Sequence, residues 1–253
     1  MSLLARLARR LRKPNATITR LYRNPPQLQA IARELAGRDR LRILVHAMAD
    51  GAEPVSLLIA LDPARRRVDI HIEGRDLSAA FVADARRFSW SRLHAPRGVD
   101  LGSFGAYLRR RPFGGWILRE RWRGIFHYAE GNVLRPAPDL PQEAFDLVAC
   151  QNLLISLPEE KVAPAFANLV SSLAPGGILA VGGGPLGRIH RLAREHGLEP
   201  VLDGVEAIHE AWEVQRAFWD KPRRPYWALE PFDRGHPEGP ERYCTLFRKA
   251  GLP

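Results

Sequence analysis

Cysteine is nearly absent from the 253-residue sequence, with Cys150 and Cys244 alone. Two thiols can build neither a disulfide framework nor a four-cysteine zinc site. Lysine is almost as scarce: Lys13, Lys161, Lys221 and Lys249 are the whole set, so the basic charge is carried by arginine. No apolar run reaches the roughly 18 residues needed to span a membrane, and arginines interrupt the leucines of the first thirteen residues, so a secretory signal is not indicated. A cytoplasmic protein is expected. No Gly-x-Gly-x-x-Gly follows the first strand pattern, which leaves a dinucleotide clamp unsupported, and no Gly-x4-Gly-Lys-Ser/Thr loop marks an ATPase.

The hydrophobic fraction of 45% is enough for a real core. The formal charge of +10 is uneven. Residues 1–123 carry 25 basic and 11 acidic side chains, and the remainder 13 and 17. The front half could therefore face nucleic acid, an anionic membrane or an acidic protein segment.

Leu3, Leu4, Leu7 and Leu11 share one helical face, so residues 1–18 read as a basic amphipathic helix, with 1–13 able to touch a membrane surface or a partner. Residues 19–253 read as one domain. A helix over 25–37 starts on Pro25-Pro26 and ends at Gly37. Strands at 41–48 and 68–73 are each followed by a turn and a helix, at 53–60 and 78–87. Further strands are expected at 124–129, 145–150 and 178–181, with helices at 159–173 and 186–195. The rhythm predicts an α/β fold with a mostly parallel, Rossmann-like sheet, helices on both faces and an antiparallel C-terminal strand. Residues 89–123 read as an irregular, arginine-rich insertion. Two long runs, 209–219 and 241–249, read as antiparallel strands.

In an open parallel sheet, ligands bind beyond the carboxyl ends of the strands. Ala49-Asp50-Gly51-Ala52-Glu53 follows the first strand. Gly51 allows a tight turn and close backbone approach, and Glu53 opens a helix, where a carboxylate is favoured. Asp76 follows the second strand, where a carboxylate can accept from both ribose hydroxyls; capping of the next helix is the lesser alternative. Carboxylates rather than phosphate-binding cations suit S-adenosylmethionine, whose sulfonium is positive.

Six ordered blocks carry a resemblance. Thr19-Arg20-Leu21-Tyr22-Arg23 is similar to T-x-F-F-R, and Ala49 to Ser56 to S-x-G-E-E-P-Y-S. Gly74 to Ser78 is similar to G-T-D-I-S, and Gly131-Asn132-Val133-Leu134 to a segment containing N-L. Phe145 to Ser156 is similar to F-D-L-I-F-C-R-N-V-L-I-Y, and Leu173 to Gly177 to L-x-P-G-G. Together they resemble the methyltransferase domain of the CheR-type chemotaxis receptor methyltransferases. The resemblance implies a class I methyltransferase fold using S-adenosylmethionine, with no metal. It implies that Arg23 lies near the transferring methyl group. Ala49, Gly51, Glu53, Asp76, Asn132, Gln151 and Asn152 would hold the cofactor. The methyl acceptor it implies is a glutamate carboxylate on a receptor.

The acceptor side departs from the pattern. Gln151 replaces an arginine, Val55 a tyrosine and Ala52 a glutamate. Ser156 stands where the family has a tyrosine and, with Arg23, is the candidate catalytic pair. The family's N-terminal helical domain has no counterpart ahead of Thr19, so a divergent member is expected. Three readings stay open: methylation of a carboxylate on an acidic protein segment or small acid, a catalytically weakened cofactor-binding module, and a nucleic-acid methyltransferase. Against the last, no Asn/Asp-Pro-Pro-Tyr/Phe tetrapeptide stands at a strand end.

Overall fold

A computed structural model describes residues 19–251, apart from 96–97, 113, 136–137 and 220–229. The helix expected at the N-terminus, with its membrane or partner contact through 1–13, lies outside the described residues. Elements are numbered in chain order. Asn24 caps α1 (Pro25–Glu34) by accepting from Gln27 N at 3.1 Å, which its left-handed backbone permits. Strand β1 (Arg40–His46) leads through a glycine turn into α2 (Ala52–Leu61) and a single turn, α3 (Pro63–Arg66). Strand β2 (Asp69–Asp76) and helix α4 (Ala79–Ala85) follow, the latter capped by Ser78 Oγ on Phe81 N.

The insertion is more regular than its sequence suggested. Strands β3 (Ser89–Trp90), β4 (Leu108–Arg110) and β5 (Trp116–Leu118) form a small antiparallel sheet in the order β3-β5-β4. Three strands of two or three residues, separated by 3-10 turns, are too short to show a period.

The main sheet resumes with β6 (Phe126–Glu130) and β7 (Phe145–Gln151), then α5 (Glu159–Ser172), β8 (Leu173–Gly182), α6 (Leu186–Glu195) and β9 (Leu198–Pro200). It ends with α7 (Val205–Trp219) and β10 (Leu246–Lys249). Its order is β6-β2-β1-β7-β8-β10-β9. The pairings β6-β2, β2-β1, β1-β7 and β7-β8 are parallel, and β10 runs antiparallel to both β8 and β9. The predicted sheet is thus present, including its antiparallel C-terminal strand. One expectation fails: residues 209–219 are helical, not a strand. Ile208 and Trp212, four apart and both buried, form the inward face of α7.

Alternation along each strand divides the core. Ile43, Val45, Leu147, Ala149, Ile178 and Ala180 point to the side covered by α1, α2 and α7. Leu44, Val148, Cys150, Leu179 and Val181 point to the side covered by α5 and α6. Fully buried side chains such as Phe166 and Leu169 contribute about 1.5–3 kcal/mol each by leaving water. The strand order reverses direction between β1 and β7, which opens a crevice at their carboxyl ends. No helix among the described residues is long and apolar enough to cross a membrane.

Candidate active site

The crevice is framed first by backbone. After β1, the chain passes through left-handed residues Ala47 and Ala49 to Gly51, at φ +80°. A side chain on Gly51 would put its Cβ 3.0 Å from Ala85 Cβ and 3.4 Å from Tyr128 Oη, so strain and crowding both select glycine. Asp76 holds this turn in register with the next one. Its Oδ2 accepts from Ala49 N at 2.9 Å and its Oδ1 from Ser78 N at 2.9 Å. Ser78 rather than Asp76 caps the following helix, and a carboxylate has about four acceptor positions, of which two are filled among the described residues.

Asp50 ties three separate segments together. Its carboxylate accepts from Thr19 Oγ1 and pairs with His94 Nε2 at 2.7 Å. Its carbonyl accepts from Trp90 Nε1 at 3.2 Å. The carbonyl of His94 in turn accepts from Leu21 N at 2.9 Å. The segment carrying Arg23, the glycine turn and the first turn of the insertion are therefore one hydrogen-bonded unit.

A cleft opens on the other side, lined among others by Thr19, Arg23, Gln27, Glu53, Ser56 and Gln151. Ser56 accepts from Tyr22 N at 2.7 Å, and Gln27 donates to Thr245 Oγ1 at 2.8 Å, so the lining is fixed by its own bonds. The Arg23 guanidinium lies over the Trp212 ring, 4.9 Å from its centroid, a cation–π contact. With its amide oxygen facing the guanidinium, Asn152 accepts from Arg23 Nη1 at 2.7 Å and Nη2 at 3.0 Å. Glu53 faces Arg23 without a direct ion pair. Burial raises the Glu53 carboxyl to about 7, and the Arg23 charge acts against that rise. Burial lowers the Arg23 guanidinium, against the opposing pull of Glu53.

Two buried polar atoms here, Gln151 Oε1 and Trp212 Nε1, have no hydrogen-bond partner among the described residues. Any side chain on Gly182 would overlap Gln151 Oε1 and come within 3.2 Å of Trp212 Cζ2. Glycine at 182 therefore leaves these two groups room beside the cleft. Unpaired buried acceptors and donors are costly and are normally satisfied. A polar ligand bearing both donors and acceptors fits this crevice.

The structure brings Arg23, Glu53, Gln151 and Asn152 together, with Ala49, Gly51 and Asp76 forming the adjoining frame. Two candidates are occupied elsewhere. Asn132 Oδ1 accepts from Leu134 N at 3.0 Å within its own turn. Ser156 is exposed and its Oγ donates to Leu153 O at 2.7 Å, away from the cleft lining. Trp212 was missed from the sequence because its segment read as a strand. The four-residue spacing from Ile208 was the available signal. Among the described residues no group of three or more His, Cys, Asp or Glu is placed to hold a metal. Burial raises both thiols, Cys150 further than Cys244, which reaches about 12, so neither is nucleophilic.

Sheet order, glycine turn and the acidic residue ending β2 define a class I, S-adenosylmethionine-binding fold. The chain belongs to the CheR methyltransferase family: the family's SAM-binding domain matches residues 17–186. It is 34% identical over 176 residues to the probable biofilm formation methyltransferase WspC of Pseudomonas putida, covering 65% of this chain and 40% of that protein. It is 28% identical over 152 residues to chemotaxis protein methyltransferase 1 of Pseudomonas aeruginosa, covering 58% and 55%. The chain spans about half the length of the curated relatives it matches. Among solved structures, the trans-methyltransferase CalH complex with SAH aligns with a TM-score of 0.46 and 16% identity, covering 89% of this chain and 55% of that one.

Proposed function

We propose that this protein transfers a methyl group from S-adenosylmethionine to a carboxylate, presented as a glutamate on an acidic protein segment or as a small acid. The observation that carries this reading is Arg23. It is gripped by Asn152 through two hydrogen bonds and set over Trp212 inside the family's matched segment. Those bonds use two of its five N–H donors, and the rest can take a carboxylate in the paired geometry arginine favours.

The cofactor, when bound, supplies an electrophilic methyl on a sulfonium. This chain's residues then have three tasks. Asp76 holds the ribose hydroxyls with its remaining acceptor positions. Glu53, Gln151 and Asn152 hold the amino acid end, and Glu53 must be ionised to pair with a cation. Arg23 orients the acceptor carboxylate. That acceptor is already ionised near neutral pH, so no general base is needed and positioning supplies most of the rate. Ser156 is not assigned a catalytic part, because its hydroxyl is bonded to its own turn.

Incubation with methyl-labelled cofactor and separated extract fractions tests the reading. Base-labile label on protein or on a small acid is expected. Label confined to nucleic acid, or saturable cofactor binding with no label in any fraction, would overturn it.

A further inference from the structure

The antiparallel insertion carries a second feature. Residues 89–123 contain eight arginines against Asp100 and Glu120. Four of them, Arg92, Arg109, Arg110 and Arg111, line one open cleft of about 810 Å3 with Pro112 and Gly114. All four are exposed. Arg111 donates to Ser89 Oγ at 2.8 Å, yet none of the four pairs with a carboxylate among the described residues. Elsewhere on the chain arginines are commonly paired, as Arg33 is with Asp203 and Arg242 with Glu230 and Glu238. A charged residue on an edge strand discourages edge-to-edge pairing. That role asks for a single cation on the strand and does not account for four converging on a cleft.

The neighbouring apolar surface narrows the partner. Leu93, next to Arg92, is 70% exposed, one of three exposed large apolar side chains among the described residues. None of those three is aromatic, and Trp116, across from Arg110, is half-buried. Clustered cations beside an exposed leucine are the combination that suits an anionic bilayer: charge attracts the protein to the headgroups and the leucine enters the interface.

We infer that the β3–β5 face of the insertion docks on an anionic lipid surface through Arg92, Arg109, Arg110, Arg111 and Leu93. The inference does not depend on methyl transfer.

Vesicle flotation of the full chain tests it, with phosphatidylcholine vesicles against vesicles containing a third phosphatidylglycerol at 0.1 M salt. Binding to the anionic vesicles only is expected, and it should vanish at 0.5 M salt. Replacing Arg109, Arg110 and Arg111 together with glutamine should lower the partition coefficient by about 100-fold, at roughly fivefold per arginine. Leu93→Ser should lower it a further few-fold. A triple lysine variant, which keeps charge but not the guanidinium fork, should bind nearly as well as the parent. An unchanged melting temperature establishes that each variant is folded; if the glutamine variant is not, the single Arg110→Gln and the salt series decide. Equal binding to neutral vesicles, or no binding at all, overturns the inference. So does undiminished binding by the glutamine variant, which would assign the contact to residues 1–13. Loss in the lysine variant would point instead to a discrete phosphate group. Tighter binding to oligonucleotides than to vesicles at the same salt would point to nucleic acid.

Discussion

The two walls of the crevice are built differently. The wall at the ends of β1 and β2 is backbone held by carboxylates: Asp76 fastens Ala49 and Ser78, and Asp50 fastens Thr19 and His94. The wall at the end of β7 is made of side chains, and two of its polar atoms, on Gln151 and Trp212, are unpaired among the described residues. A wall fixed by backbone geometry tolerates little change. A wall of side chains can change its chemistry without refolding. Of the departures from the family pattern, Gln151 falls on the second wall, whereas Ala52 and Val55 fall in the helix after the first wall's glycine turn.

The contrast breaks most readily at Asp76. Asp76→Ala should weaken S-adenosylmethionine binding by about 100-fold or more in calorimetry, since two hydrogen bonds to a charged acceptor contribute about 1.5–3 kcal/mol each. An effect under fivefold would remove Asp76 from the frame. Gly51→Ala should cost about 2 kcal/mol of stability in urea unfolding, from the left-handed backbone and the contact with Ala85. A neutral result would show that the turn can relax.

Glu53 supplies a pH test. Its carboxyl is raised above its ordinary value to about 7, so the folded chain holds that proton across a range where the unfolded chain has released it. The folded state accordingly loses stability as pH rises from the ordinary carboxylate range to about 7. Cofactor affinity should move the opposite way, rising through about pH 7 as Glu53 ionises and levelling above it. Glu53→Gln should lower affinity about tenfold at pH 8 and flatten the profile. A profile unchanged by the substitution would assign the titration elsewhere.

The smallest effects belong to the second wall. Gln151→Ala should weaken cofactor binding by only a few-fold, since an amide contributes about 0.5–1.5 kcal/mol net. Ser156→Ala should change methyl transfer less than twofold. A large loss at Ser156 would mean that its turn rearranges when substrate binds.

Much of this was legible in the sequence. Alternating strands and helices, Pro25-Pro26 at a helix start and the residues after β1 and β2 are local signals, readable where they stand. Arg23 was reachable only through its surrounding block, since a lone arginine beside a helix signals nothing. Trp212 was reachable only through its four-residue spacing from Ile208. Its importance comes from α7 packing over the cleft, and the segment's aromatic residues favour strand by propensity. The insertion hid its sheet because strands of two or three residues take their form from cross-strand pairing. Ser156 misled in the other direction: its alignment with a functional tyrosine says nothing of where a shorter hydroxyl finds its partner.

The hydrogen bonds of Asp50 and Leu21 to His94 bear on how the chain can be cut. An insertion between two strands invites treatment as a cassette, to be deleted or grafted at its ends. Here the cassette supplies a load-sharing joint to its host. Excising 89–123 would strip the cofactor turn of its imidazole and indole partners and free the arginine segment from its backbone anchor. A minimal version of this protein has to keep that joint, so trimming should begin beyond His94 rather than at Ser89.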